Sequence, residues 1–528
     1  MSPILPGLSR STTPASIQAN RFIIALTVTL ASVLELLDTS IVNVAVPHMM
    51  GSLGATLDEI AWVSTGYVVA NVIVLPISGW LSNQLGRRNY FALSILVFTI
   101  ASMACGAATS LESMVAWRIV QGIGGGGLIA TAQSTLFETF PPKELGTAMA
   151  IFGMGIMAGP ALGPTVGGWL TDAYSWPWIF YINLPLGIGA LLLALIYVPD
   201  SAMQKKAARI DYIGLILLAI GIGALQTMLE RGEKNDWFES TEVIMLALAS
   251  FFGLFIFVIH ELESKHPIVD LRIMRDGQFN AGLVYAFLTG AALYSTIFMF
   301  PIYAQALMGY NAFQTGMFIL PSAIATAIAL ATTSKLVARG VSAKAMIVLG
   351  TAVFCYAMWM HYHLTTDSGT EDFFWPLVLR GLGLGMVFVP LNNLAMSNIA
   401  PQDMANASGL YNLTRMLGGS VGIATSATSF SHLVQAQQAH LAEHLTNNSI
   451  ATMQRLSTLK QILIARGVPE SMASIKAQAI LNVQVQKQAN MLSFNQLFFW
   501  LGIVLACAMP LLLLMRNTQL RQGAMDAH

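Results

Sequence analysis

Fourteen stretches of about 20 mostly apolar residues, the length that a bilayer core asks of a helix, follow one another along the chain. They lie near 22–47, 60–82, 90–109, 113–137, 146–170, 178–198, 211–229, 242–260, 280–300, 313–333, 345–362, 374–396, 407–430 and 496–515. Only 10% of the 528 residues are charged and 55% are hydrophobic, where an average soluble domain is about 25% charged. The chain therefore reads as an all-α polytopic membrane protein. Its formal net charge is zero, so nothing electrostatic recommends nucleic acid as a partner. Cys105, Cys355 and Cys507 each sit inside an apolar run, which argues against a disulfide framework. The start "MSPILPGLSRSTTPASIQANR" lacks the short apolar core and cleavage site of a signal peptide and reads as a retained cytoplasmic tail.

Most of the 26 lysines and arginines gather in alternate loops, around Arg87 and Arg88, Lys205, Lys206 and Arg209, and Lys335 and Arg339. By the positive-inside rule those loops are cytoplasmic, which places both termini inside and gives fourteen crossings. The two ends of the sequence also repeat each other at an offset of 259: Gly122, Gly124 and Gly126 match Gly381, Gly383 and Gly385, while Pro142, Gly159 and Gly163 match Pro401, Gly418 and Gly422. Two related six-helix bundles are expected, over 22–198 and 280–515, with two helices inserted between them in 199–279 and short tails at 1–21 and 516–528. Duplicated halves are the architecture of alternating-access transporters, which bind substrate between them.

The first span, "LELLDTSIVNVAVP", holds Glu35 and Asp38 three residues apart and hence on one helix face. A carboxylate turned toward lipid at mid-membrane costs about 2.5–3.5 kcal/mol, so both are expected to face the central cavity. Two close carboxylates raise each other's proton affinity, which fits a group that loads and releases a proton. Arg118 is the expected counter-charge, either as part of proton coupling or as a static ion pair. Arg380, at the repeat position of Gln121, and Arg415 either contact an anionic substrate group or lock the C-terminal half. Asn43 and Gln121 are further candidates for a substrate contact or charge network. Gly155, Gly159 and Gly163 form a small-residue stripe, and Pro160 and Pro164 bend the same helix, a combination suited to a rocking interface between halves. "GIGGGG" satisfies the dinucleotide fingerprint but follows no strand, and no phosphate-binding G-x-x-x-x-G-K-[ST] loop, H-E-x-x-H or G-x-S-x-G is present, which speaks against ATP use and against an enzyme. His440 and His444 are four apart without a third ligand, so no metal site is assigned.

Four motifs in order, "LDTSIVNVAVP" (37–47), "GWLSNQLGRR" (79–88), "RIVQGIGGGG" (118–127) and "GIMAGPALGPTVGG" (155–168), resemble those of the major facilitator superfamily, in particular its fourteen-helix drug:proton antiporters. "WPWIFYINLPLG" (176–187) and "RIDYIG" (209–214) are similar to the EmrB-type multidrug exporters of that branch. The resemblance implies a major facilitator fold and a proton-coupled exporter of small amphipathic or lipophilic compounds. The proton gradient would be its energy source, with no cofactor, in a bacterial inner membrane. It makes Gly79, Gly86, Arg87 and Arg88 part of a conformational loop in which Asn83 replaces the usual acidic residue, weakening a charge contact there. It also implies a periplasmic adaptor protein and an outer-membrane channel as partners for the polar segment 431–495, expected on the external side as a helical hairpin broken at "LTNNS" and "RGVPES". An uptake carrier of the same fold, or a non-transporting receptor or scaffold, is the alternative, because fold does not fix function.

Overall fold

The structure, a computed structural model, describes residues 14–201, 211–443, 445 and 450–515. Most of the N-terminal tail, the C-terminal tail, Lys205, Lys206, Arg209 and His444 lie outside the described residues. The first half of the chain forms α1 (Pro14–Leu53), α2 (Leu57–Leu85), α3 (Arg87–Gly106), α4 (Leu111–Gly125), α5 (Leu128–Thr139), α6 (Pro142–Ala173), α7 (Trp178–Tyr181) and α8 (Asn183–Tyr197). Two helices follow, α9 (Tyr212–Arg231) and α10 (Thr241–Glu263). The second half holds α11 (Gly277–Ala306), α12 (Ala312–Ala338), α13 (Ala343–Tyr362), α14 (Thr370–Met396), α15 (Met404–Glu443), α16 (Ile450–Ala465) and α17 (Glu470–Ala506).

Each of the fourteen apolar stretches falls on a helix or a pair of helices. By length and composition, 11 helices among the described residues suffice to cross a membrane, or 12 if the bent α6 is one span. The exceptions have local causes. The stretch 113–137 is parted into α4 and α5 at Gly126 and Gly127, where α2 and α3 press in: a Cβ on Gly126 would stand 2.5 Å from the Asn71 carbonyl and one on Gly127 2.0 Å from the Tyr90 hydroxyl. The membrane part of α15 carries Asn412, Thr414, Arg415, Ser420 and Thr425, which lowers its hydropathy. Several helix starts carry side-chain caps, as at α2, where Thr56 and Glu59 bond each other's backbone N–H at 2.9 and 3.3 Å, and at α12, where Asn311 and Gln314 do the same.

The two halves are separate bundles joined along two seams, α6 against α12 and α2 against α15. Toward the predicted cytoplasmic side both seams are tight. A Cβ on Gly79 would lie 2.8 Å from the Ala405 carbonyl carbon, and one on Gly146 2.7 Å from Ser334 Oγ. Buried apolar clusters there mix the halves: Phe152 and Ile156 with Leu330, Phe388 and Val389, and Val72 and Leu75 with Ala407, Leu410 and Tyr411. Since Gly79 leaves no room for a side chain, Gly79→Leu is expected to insert normally yet hold the halves apart at that end. A cysteine placed at Ser82 should then label from the cytoplasmic side about tenfold faster, a shift of ~1.4 kcal/mol in the opening equilibrium.

The inserted pair packs on itself, with Gly221 against Leu254, and α9 leans on α2 through Gly223 and Ile73. Trp237 Nε1 donates to Thr428 Oγ1 at 2.8 Å and ties the turn after α9 to α15. The pair thus lies beside the α2–α15 seam, presenting Phe251, Phe252 and Phe255 outward.

One expectation about packing changes. The stripe Gly155, Gly159 and Gly163 does not face the other half: Cβ atoms there would meet Thr29, Leu36 and Ser40 of α1, and Ser40 Oγ donates to the Gly159 carbonyl at 3.3 Å. Small residues bring α6 onto α1 inside one bundle, while the opposite face of α6, at Gly146 and Gly153, meets α12. The bend is present, 41° between Glu144–Pro160 and Leu162–Ala173. The external segment is the expected helical hairpin: α15 continues to Glu443, and α16 packs on a long α17 across a turn at 466–469, where Gly467 takes a φ of 84°; the expected break at "LTNNS" falls mostly outside the described residues.

Candidate coupling site and charge network

Asp38 lies where α1, α4 and α8 meet and is fully buried. Arg118 Nη1 donates to Asp38 Oδ2 at 2.5 Å, while Gln121 Nε2 and Asn183 Nδ2 each donate to Oδ1 at 2.9 Å. Arg118 is equally well held. Its Nε donates to the Val63 carbonyl at 2.9 Å, its Nη1 to Gln121 Oε1 at 2.8 Å, and the Tyr67 ring covers the guanidinium at 4.1 Å. A buried ion pair repays its desolvation only when its remaining donors and acceptors are met, and here both oxygens of Asp38 are taken. This explains why Asp38 does not face an open cavity, as the sequence suggests, but points into the N-terminal bundle.

Glu35, one turn away, is 3% exposed and differently placed. Asn71 Nδ2 donates to Oε1 at 2.8 Å, whereas Oε2 has no hydrogen-bond partner. Arg415, on α15 of the other half, acts on Glu35 electrostatically and rests against the Phe388 ring at 5.1 Å. Glu35 is thus the carboxylate that senses the opposite bundle. Neither residue opens on solvent in this conformation.

A second polar cluster crosses the interface. Gln133 Nε2 donates to Asn392 Oδ1 at 2.7 Å, and Asn412 Nδ2 donates to Gln133 Oε1 and, at 2.8 Å, to the Ser408 carbonyl. All three side chains are buried. Gln133 and Asn392 are 259 residues apart, the offset of the sequence repeat, so equivalent positions of the two halves meet each other. Two amides in otherwise apolar helices at that offset were the signal, and the sequence reading passed over them, as it did Asn71 and Asn183. Their bonds exist only while the halves touch here, so Gln133→Leu with Asn392→Leu should keep the fold but alter the closed population; measured as cysteine labelling at Ser82, a change of about tenfold corresponds to ~1.4 kcal/mol.

In the loop after α2, Arg87 pairs with Glu138 at the end of α5, whose second oxygen accepts from Ser201 Oγ at 2.8 Å. The Arg88 amide donates to Asp200 Oδ1 at 3.1 Å. Gly86 needs its φ of 87°, and a Cβ there would sit 3.2 Å from Asp200. This loop therefore binds within the N-terminal bundle through Arg87, while Gly79 makes the contact with the other half; Asn83 is half-buried beside it. At the start of α9, burial alone would push Asp211 up, but the Gly214 amide and His260 hold its carboxyl below the usual range. Asn43 stands exposed on α1, away from the cluster. Arg380 is buried on α14 and bonds Thr296 and Ser322, without joining Glu35 or Asp38.

Two duplicated helical bundles closed over a buried charge network define a polytopic membrane protein of the secondary-transporter class. The chain belongs to the Major Facilitator Superfamily, whose family profile matches residues 28–423. It is 32% identical to the multidrug export protein EmrB of Escherichia coli K12 over 485 residues, 91% of this chain and 92% of that protein. It is also 32% identical over 491 residues to the fatty acid resistance protein FarB of Neisseria gonorrhoeae, 92% of this chain and 94% of that one. Among solved structures, the human organic anion transporter MFSD10 (TETRAN) shares the fold with a TM-score of 0.57 at 13% identity, over 92% of this chain and 99% of its own.

Proposed function

We propose that this chain is a proton-coupled antiporter that exports amphipathic or lipophilic compounds across a bacterial inner membrane by alternating access, with fourteen crossings and both termini in the cytoplasm. The observation that carries the reading is the division of labour on α1. Glu35 has one oxygen outside the Asn71 bond, facing the Ile129 amide at the start of α5, and a cation across the interface, so a proton is added there while the Asn71 bond is kept. Asp38 has no such room, because three donors occupy it. Glu35 is therefore the proton carrier, and the Asp38–Arg118 pair one turn away, with the Tyr67 ring against its guanidinium at 4.1 Å, responds to its state. Loading Glu35 weakens its attraction for Arg415 and with it one of the ties between halves. Inward proton flow supplies about 1.4 kcal/mol per pH unit and about 2.3 kcal/mol per 100 mV for each net charge moved. The likeness to multidrug export proteins over nearly the whole length supports export over uptake.

The test is accumulation of an amphipathic dye in cells stripped of other exporters. Expression of the chain should lower it, and an uncoupler should restore it; equal accumulation with and without the chain sinks the reading. The helices beyond the bilayer at α15, α16 and α17 are the surface offered to a periplasmic adaptor and, through it, an outer-membrane channel. Shortening the stretch between 444 and 470 should leave transport in liposomes intact while whole-cell resistance falls. Loss of both would place this segment in the transport core.

A further inference from the structure

The turn between α9 and α10 touches both halves of the molecule, at the end of the α2–α15 seam opposite the Gly79 contact. Trp62 stands near the start of α2, as Gly79 stands near its end. Arg231, the last residue of α9, lays its guanidinium over the Trp62 ring at 5.1 Å and pairs with Glu242 of α10 at 3.5 Å. Six residues on, Trp237 reaches α15, where its Nε1 donates to Thr428 Oγ1 at 2.8 Å. The Thr428 hydroxyl gives its own proton to the Ala424 carbonyl at 3.0 Å, so its oxygen is fixed as the acceptor for the indole.

Between these two ends the turn is stiff. The Trp237 amide donates to the Gly232 carbonyl at 2.8 Å, and the indole covers Gly232 so closely that a Cβ there would stand 2.6 Å from the ring. Asn235 Nδ2 donates to Glu242 Oε2 at 3.3 Å. Asp236 and Trp237 each take a φ of 52°, and among the described residues they alone enter that region without being glycine. Aspartate tolerates the left-handed conformation, but for a bulky tryptophan it is costly, and it persists only where surrounding contacts hold it. Losing the Thr428 bond therefore lets this backbone relax. The helix pair is also attached further along the seam: Gly223 of α9 rests on Ile73 of α2, and Asn406 Nδ2 of α15 donates to the Asp270 carbonyl beyond α10 at 3.0 Å. A body fixed to both halves in this way cannot keep every contact while the halves rock. The contact that gives way most cheaply is a single neutral hydrogen bond whose loss relieves strain.

We propose that the turn 231–240 is a strap across the α2–α15 seam and that the Trp237–Thr428 bond is its releasable end, made while the cytoplasmic side is closed and broken when that side opens. The strap thus gives the inserted helix pair a part in setting the balance between the two conformations. The proposal rests on the alternating-access reading, but its first readout needs neither substrate nor gradient. In membranes carrying Ser82→Cys, Thr428→Val should raise the rate of cytoplasmic labelling about fivefold, the weight of one neutral hydrogen bond, while Thr428→Ser, which keeps the acceptor, should label at the native rate. If Thr428→Val does not insert, Trp237→Phe removes the donor from the other side and should give the same rise. A static contact would move labelling in neither variant, so a rate at or below the native one overturns the proposal. The second readout is transport. In Trp237→Cys with Thr428→Cys, a short bis-methanethiosulfonate should stop dye export that the single-cysteine controls retain, and a reductant should restore it. Export that persists in fully cross-linked protein also overturns the proposal, because the contact would then last through the whole cycle. Absence of dye export even in the native chain counts against the export reading alone, and labelling at Ser82→Cys still decides the strap.

Discussion

Glu35→Gln is expected to reduce gradient-driven efflux to the rate of vesicles without the protein, while the purified chain keeps its thermal stability within a few degrees. The amide still accepts from Asn71 at the position of Oε1, so local packing survives. What disappears is the exchangeable proton and the charge that Arg415 senses from the other half. Substrate binding should persist, because the neutral amide leaves the surrounding packing in place. Efflux at the native rate in Glu35→Gln would remove this residue from the mechanism.

Asp38→Asn should act by a different route. Loss of the anion leaves Arg118 buried and unpaired, a defect worth about 3–5 kcal/mol, and the new amide group points donors at Arg118, Gln121 or Asn183, all of which already donate to this site. Lower thermal stability and loss of efflux are both expected. The double change Asp38→Asn with Arg118→Gln separates the two roles: it removes the uncompensated charge, so stability should largely return while efflux stays absent. Recovery of efflux in the double variant would make the pair structural glue. Arg118→Lys should fold and still lose concentrative efflux, since an ammonium cannot hold the Val63 carbonyl, Gln121 and Asp38 with one planar fork.

The long periodic signals were the legible ones. Apolar runs located the helices, and the Gly and Pro repeat announced the two halves, because both follow from the bilayer and from duplication. Asp38 with Arg118 was also readable, since a buried cation in such a chain demands an anion. What the sequence did not reveal depends on which faces meet. The Gly155–Gly159–Gly163 stripe signals close packing without naming the partner, and the partner is α1 rather than the other half. Glu35 and Asp38 share a helix face yet diverge, because Asn71 draws one side chain and Arg118, Gln121 and Asn183 draw the other. The meeting of Gln133 with Asn392 follows from pseudo-symmetry at the interface, and the repeat offset pointed to it only once the closed side was known.

The central claim is that substrate leaves as protons enter, through Glu35. The most direct measurement is proton movement in inverted membrane vesicles holding an acid-inside gradient, with a fluorescent pH probe reporting the lumen. Adding an amphipathic substrate should draw protons out of the lumen in proportion to the substrate taken up, and Glu35→Gln vesicles at the same expression level should show neither. Substrate uptake that proceeds with no proton release, or proton release that is unchanged in Glu35→Gln, would contradict it.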